Sequence, residues 1–222
     1  MVGRVREVVV GFFNPGIACW LFIIFFFVLY LILSLIPLRI GKLFVKQILW
    51  VYESWSYSVG LSLSGSIIPT IVAIALAGLL RKRGRRVVPA IMASKWFWFF
   101  TTIYVVVITA LLMMSPTAAS VLLSLNAPII LAAPLIFIAT FGLACDVNEG
   151  GYCVAAEAYV ALFIPPALSD STTALMAGVA TEAVHLLTKA SLVIGGYGVM
   201  DELVLIPIEA AMATLITVTL IC

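Results

Sequence analysis

Apolar residues run through this chain in long blocks, rarely at alternate positions and rarely as one stripe in a polar background. Seven such segments stand out, at roughly 15–37, 58–80, 96–114, 118–143, 153–169, 172–190 and 195–221. Several exceed the ~18 apolar residues that mark a membrane-spanning helix. Segments five and six are short and meet at IPPALSDSTT, which reads as the bend of a tilted or re-entrant hairpin. Between the first two lies RIGKLFVKQILWVYESW, with Ile40, Leu43, Phe44, Ile48, Val51 and Tyr52 on one helical face. That stripe predicts an amphipathic helix lying in the membrane interface. The expected fold is all-α: a polytopic transmembrane bundle of six or seven helices plus the interfacial helix, in one integral membrane domain over 1–222.

Composition narrows the class further. Hydrophobic residues make up 64% of the chain and charged residues only 10%, with a mean hydropathy of +1.26. A soluble domain carries far more charge than this. The net charge of +2 points to no nucleic-acid partner. The expected setting is the cell membrane, crossed several times, with the bilayer itself as the first partner. No cleavable signal peptide is expected, because the first apolar run is as long as a bilayer is thick.

Basic residues set the expected orientation. RKRGRR at 81–86 is the densest basic loop. Placing it in the cytoplasm also places Arg4, Arg6, Lys95 and Lys189 there, nine of the twelve basic residues. Only Arg39, Lys42 and Lys46 fall on the other side. The N-terminus is then cytoplasmic and the C-terminus, at Cys222, outside.

Cys19, Cys145, Cys153 and Cys222 make no recognisable metal pattern, and Asp146 and Glu149 between the middle pair read as a solvated turn. No phosphate loop, nucleotide fingerprint or nucleophile elbow is present, so no cofactor and no metal are expected. The lone histidine excludes bis-histidine haem ligation within one chain.

Chemistry concentrates in 170–210. Gly178, Thr181, Glu182, His185, Thr188 and Lys189 share one helical face, opposite Leu175, Val179, Ala183 and Leu186. Such a face is expensive against lipid and should turn toward the bundle or a wet cavity. Segment seven adds Asp201, Glu202 and Glu209 in apolar surroundings, after Gly195, Gly196 and Gly198. If Ser191 and Leu192 form a turn between antiparallel helices, Glu182 and Asp201 lie at equal depth. Two acids in a low dielectric cannot both ionise cheaply, so one of such a pair holds a proton. His185, one turn from Glu182, shares that proton or neutralises the pair. The three glycines permit close helix contact or open a break that frees backbone groups near Asp201.

VIGGYGVMDELVLIPIEAAMATL resembles the closing segment of a prokaryotic membrane-protein family catalogued only as a domain of unknown function. In that family the last helix opens with Gly-Gly-x-Gly-x-x-Asp, matched by Gly195, Gly196, Gly198 and Asp201. The family's Gly-Gly-x-x-x-Pro helix is similar to SGSIIP, where Gly65 and Pro69 fit and Ser64 replaces the first glycine. The resemblance implies a second acid near the end of the preceding helix, for which Glu182, His185 and Asp170 are the candidates here. A more distant similarity is to the intramembrane aspartyl proteases, through GYGVMD and the PPAL at 165–168. It implies a catalytic Asp201 with Glu182 or Asp170 as its partner.

The ungapped match of GLSLSGSIIPTIVAIALA (60–77) to GVMDELVLIPIEAAMATL (198–215) pairs Gly60 with Gly198 and Pro69 with Pro207. The expected topology runs these segments in opposite directions, a pattern of carrier binding sites. The expected function is a small-solute or ion carrier with a proton- or cation-handling site of Glu182, His185, Asp201 and Glu202. An intramembrane aspartyl-type protease acting on a membrane-embedded substrate, and a non-catalytic assembly protein, stay open. The residues decide neither whether the chain is an enzyme nor whether it forms oligomers.

Overall fold

The computed structural model describes residues 47–55, 57–84, 90–114, 127–144, 151–184, 190–196 and 201–221. Residue contacts divide the chain into Met1–Leu38 and Arg39–Cys222, and every described residue belongs to the second unit. The first apolar segment, 15–37, therefore lies outside the described residues, as do Arg39, Lys42 and Lys46.

The described elements are β1 (Ile48–Glu53), β2 (Tyr57–Ser62), a π-helical turn (Leu63–Ile67), α1 (Ile68–Lys82), a 3-10 turn (Ala90–Ala93), α2 (Lys95–Met114), α3 (Ala127–Ala144), α4 (Gly151–Val184), β3 (Ala190–Ile194) and α5 (Glu202–Ile221). Helix dominates, as the apolar blocks predict. Among the described residues, three helical stretches are long and apolar enough to cross a membrane: Leu63–Lys82, Gly151–Val179 and Glu202–Thr219. Lys95–Leu111 and Leu131–Leu143 are shorter apolar helices.

A three-stranded sheet, in the order β1-β2-β3, departs from the all-α expectation. Residues 48–53, expected in the interfacial helix, form β1; Ile40, Leu43 and Phe44 lie outside the described residues. ILWVYE and YSVGLS are rich in the β-branched and aromatic residues that favour strands. Ser54 ties the hairpin: its N–H and hydroxyl donate to the Tyr57 carbonyl at 2.8 and 3.1 Å. Its hydroxyl also accepts the Tyr57 N–H at 3.1 Å. Gly60 lets β1 close over β2, since a Cβ there would come within 3.0 Å of the Trp50 ring. β3 pairs with β2 in parallel, from Tyr57 opposite Ala190 to Leu61 opposite Ile194. Ser191 and Leu192, expected as a tight helix–helix turn, are therefore mid-strand.

A second correction concerns segments five and six, which form one helix, α4, of 34 residues. At ~1.5 Å per residue it runs roughly 50 Å. Pro165 and Pro166 each remove one backbone hydrogen bond without ending the helix, as membrane helices tolerate when neighbours pack around the site. The polar SDSTT stretch stays helical because its side chains find interior positions or local partners. Ser169 and Thr173 are buried, and Ser171 donates back to the Ala167 carbonyl at 2.7 Å.

Helix directions follow from contacts at the ends. The Arg83 guanidinium, just beyond α1, donates to the Cys153 thiol at 3.1 Å, at the start of α4. A Cβ on Gly151 would lie 3.2 Å from Leu215 and 3.3 Å from Val218, near the end of α5. Both α1 and α5 thus run opposite to α4, and so run in the same sense. The opposed orientation expected for 60–77 and 198–215 is overturned, because one helix stands where two crossings were expected. The bundle packs through small residues: Ala158 and Ala161 of α4 and Ala210 of α5 are fully buried among Phe97, Tyr104, Leu135 and Leu162.

The sheet rests on the far end of α4. The Tyr57 hydroxyl donates to the Ala174 carbonyl at 2.8 Å. Burial holds that phenol above its ordinary range, so it remains a donor. Its ring lies over Gly178, where a Cβ would approach it to 3.2 Å.

Candidate functional site

Two chain breaks meet beside the acids. In the first, β2 ends at Ser62, whose hydroxyl accepts the Gly65 N–H at 3.4 Å and starts the π-helical turn. Pro69 in the first turn of α1 has no N–H to offer the carbonyl four residues back, that of Gly65. In the second, β3 ends at Gly195, with φ +71. A Cβ there would stand 2.6 Å from both the Gly65 carbonyl oxygen and the Ser66 nitrogen. Only glycine meets both demands at 195. Gly196 is nearly as tight, 3.0 Å from the Val193 carbonyl oxygen by the same construction.

The break at Gly195 delivers the chain to Asp201, which is buried and caps α5. Its carboxylate accepts the Leu203 N–H at 3.1 Å, and its carbonyl accepts the Val204 and Leu205 N–H groups at 3.0 and 2.9 Å. This is the work of an aspartate at a helix start. Asp201→Asn should therefore keep the cap, whereas Asp201→Ala should destabilise the fold by about 1 kcal/mol. Thermal unfolding in detergent checks this, and equal losses in both variants would contradict it.

Glu202, the first residue of α5, faces the bundle. Its carboxylate accepts a hydrogen bond from the Tyr104 hydroxyl of α2. It also lies within hydrogen-bonding reach of the Asp170 carboxyl of α4, which faces the Gly195 backbone N–H. Asp201 stands near enough to act electrostatically on both Glu202 and Tyr104. Among the described residues, no basic side chain is one of the groups acting on Asp170 or Glu202. The result is a row of polar groups, Tyr104–Glu202–Asp170–Gly195, drawn from α2, α5, α4 and the turn after β3.

Of the residues singled out in the sequence, Asp201, Glu202, Gly195 and Asp170 come together here. Glu182 sits in the last turn of α4, twelve residues beyond Asp170, or roughly 18 Å by helix rise. Its side chain lies outside the described residues, as do His185, Gly198, Thr188 and Lys189. It is Asp170 that meets the start of α5, because β3 occupies the place of the expected helix–helix turn. Cys145, Asp146, Glu149, Cys19 and Cys222 also lie outside the described residues. Among the described residues, no group of three or more His, Cys, Asp and Glu side chains is arranged to hold a metal ion.

Tyr104 was invisible in the sequence, one hydroxyl in the aromatic and β-branched run WFWFFTTIYVVV. The available signal was the spacing of Thr101 and Tyr104, which sets two hydroxyls one above the other on a helix. Further along, Thr173 donates to Thr109 at 3.3 Å, joining the polar sides of α4 and α2. Set against models of known protein families, curated proteins and solved structures, the chain matches none.

Proposed function

We propose that this protein is a multi-pass membrane carrier that moves a proton or small cation through the Asp170–Glu202 pair. The observation that carries the reading is the close approach of those two carboxyls, from two helices apolar enough to span a membrane; two buried carboxyls so placed hold one proton between them. Ionisable groups at such depth are expensive and are retained where ions pass. The two breaks that meet at Gly65 and Gly195 add to it, since irregular backbone at membrane depth lines binding sites in carriers. Small solutes or ions and the bilayer are the partners, and a homo-oligomer is compatible with the site. Membership of the family whose last helix opens with Gly-Gly-x-Gly-x-x-Asp rests on Gly195, Gly196, Gly198 and Asp201.

The test is proton movement into vesicles reconstituted with the full chain, followed by an internal pH dye after a pH jump. Flux well above that of empty vesicles supports the carrier. Flux equal to empty vesicles sinks it.

With RKRGRR cytoplasmic, α1 and α5 both run inward, and residue 219 lies on the cytoplasmic side. This replaces an outside C-terminal end. A cysteine placed at Thr219, with the native cysteines removed, should react with a membrane-impermeant maleimide only after lysis. Labelling in intact cells would reverse the orientation.

The second reading is an aspartyl-type intramembrane protease, favoured by the same close approach of two acids, one proton shared between them. Hydrolysis of membrane-helix peptides by wild type, lost in Asp170→Asn, would establish it over the carrier.

A further inference from the structure

The outer strand of the sheet turns its side chains away from the protein. β1 stands first in the order β1-β2-β3, and Leu49, Trp50, Val51 and Tyr52 are each between 49% and 61% exposed. Trp55, in the turn that follows, is wholly exposed. β2 shows the opposite pattern, with Tyr57, Ser58 and Ser62 buried against the rest of the chain. Four apolar side chains in a row on an edge strand are a template for aggregation in water. They also continue a larger apolar surface. Leu63, Ile68, Ile71 and Ile74, in the membrane-long stretch Leu63–Lys82 that follows β2, are exposed as well.

Depth along the helices says what lies beside this strand. Tyr57, clasped by Ser54 at the hairpin, is fixed to the Ala174 carbonyl of α4. Ala174 lies 22 residues beyond Tyr152, which is exposed at the basic end where Arg83 meets Cys153. At ~1.5 Å per residue that is roughly 33 Å, about one hydrocarbon thickness. Leu63–Lys82, 20 residues between the sheet and the same basic end, gives the same measure. The sheet therefore stands at the second membrane boundary when the basic end stands at the first. Tryptophan and tyrosine favour that level, with apolar rings and a polar N–H or O–H. The outer edge of β1 pairs with no described strand, so its backbone groups need water and stay out of the hydrocarbon. The register slip between Trp50 and Tyr52 bends that edge, which disfavours flat pairing with a second copy.

We infer that β1 and the Trp55 turn form a membrane-surface anchor, with Trp50, Tyr52 and Trp55 lying among the lipid headgroups. Through β2 and β3 the anchor ties the contact of Gly65 with Gly195 to the membrane surface. It depends on the membrane setting and not on the acid pair, so absence of proton flux leaves it standing.

The test is depth-dependent fluorescence quenching in phosphatidylcholine vesicles reconstituted with the full chain. Two variants carry one tryptophan each, Trp50 or Trp55, with phenylalanine at the other four tryptophan positions. Bromine carried near the lipid headgroup should quench each about twofold more than bromine near the chain end. Iodide in the water should quench each several-fold less than in the unfolded chain. A spin label on Val51→Cys, with the native cysteines removed, reads the same depth while every tryptophan stays in place. It should collide with oxygen and with a water-soluble nickel chelate to comparable extents. Full quenching by iodide, with none by either lipid, would put the hairpin in water and overturn the inference. Protection from all three quenchers would mean that protein covers the strand, a second copy included, and overturns it equally. Stronger quenching from the chain end would bury the strand in hydrocarbon and overturn it too.

Discussion

Asp170→Asn and Glu202→Gln should each reduce proton movement by at least about tenfold while leaving the protein folded in the membrane. Both substitutions keep shape and remove only the ability to trade a proton. On the proposed reading, the proton between Asp170 and Glu202 can sit on either carboxyl, with Tyr104 donating to Glu202 and the Gly195 N–H facing Asp170. An amide in either place still donates or accepts one hydrogen bond, so the helices stay joined, but it fixes where the protons are. The expected loss corresponds to about 1.4 kcal/mol or more on the step that moves the proton. Asp201→Asn should lose far less, because its carboxylate is engaged with the Leu203 N–H as a cap. Flux that falls in Asp201→Asn but survives in Asp170→Asn would assign the chemistry to the wrong acid here.

Gly195→Ala should abolish folded yield, the largest structural effect expected of a single methyl group at any described glycine. The φ of +71 at this position costs a side-chain-bearing residue about 1–2 kcal/mol. The greater penalty is steric: the methyl would overlap the Gly65 and Ser66 backbone, which cannot rotate away as a side chain could. Relieving that clash means separating the two breaks, and with them the Gly195 N–H from Asp170. Gly78→Ala is the control, because a Cβ there meets nothing within 4 Å and lies inside α1. It should be neutral or stabilise by about 0.5–1 kcal/mol. The fraction of monodisperse protein after size exclusion, and its melting temperature, measure both. Similar yields for the two variants would mean that the contact at Gly65 is dispensable.

What the residues disclosed in advance depended on the physics behind each feature. Blocks of apolar residues longer than a bilayer is thick leave few options, so helices and membrane were legible. Short apolar stretches are not so constrained. ILWVYE and ASLVI fit a strand as well as a helix face, and only their pairing with YSVGLS decides between them. Pro165, Pro166 and the polar SDSTT read as a bend. The helix instead runs straight through them, with Ser171 bonded back to the Ala167 carbonyl and Thr173 to Thr109 of α2, which no local pattern reveals. With that bend expected, Glu182 stood at the centre of the expected site and Asp170 at its margin. The acids of 201–202 and the glycine at 195 were legible because charge and backbone freedom in an apolar run both need a reason. Tyr104 was not, since a phenol on an aromatic helix needs none.

The shared proton is the centre of the account, and infrared difference spectroscopy of the purified protein measures it directly. At neutral pH the wild type should show a protonated-carboxyl C=O band that shifts on exchange into heavy water. The band should vanish in both Asp170→Asn and Glu202→Gln, and persist in Asp201→Asn. A wild type without the band, or a band that survives in Asp170→Asn and Glu202→Gln and disappears only in Asp201→Asn, would contradict it.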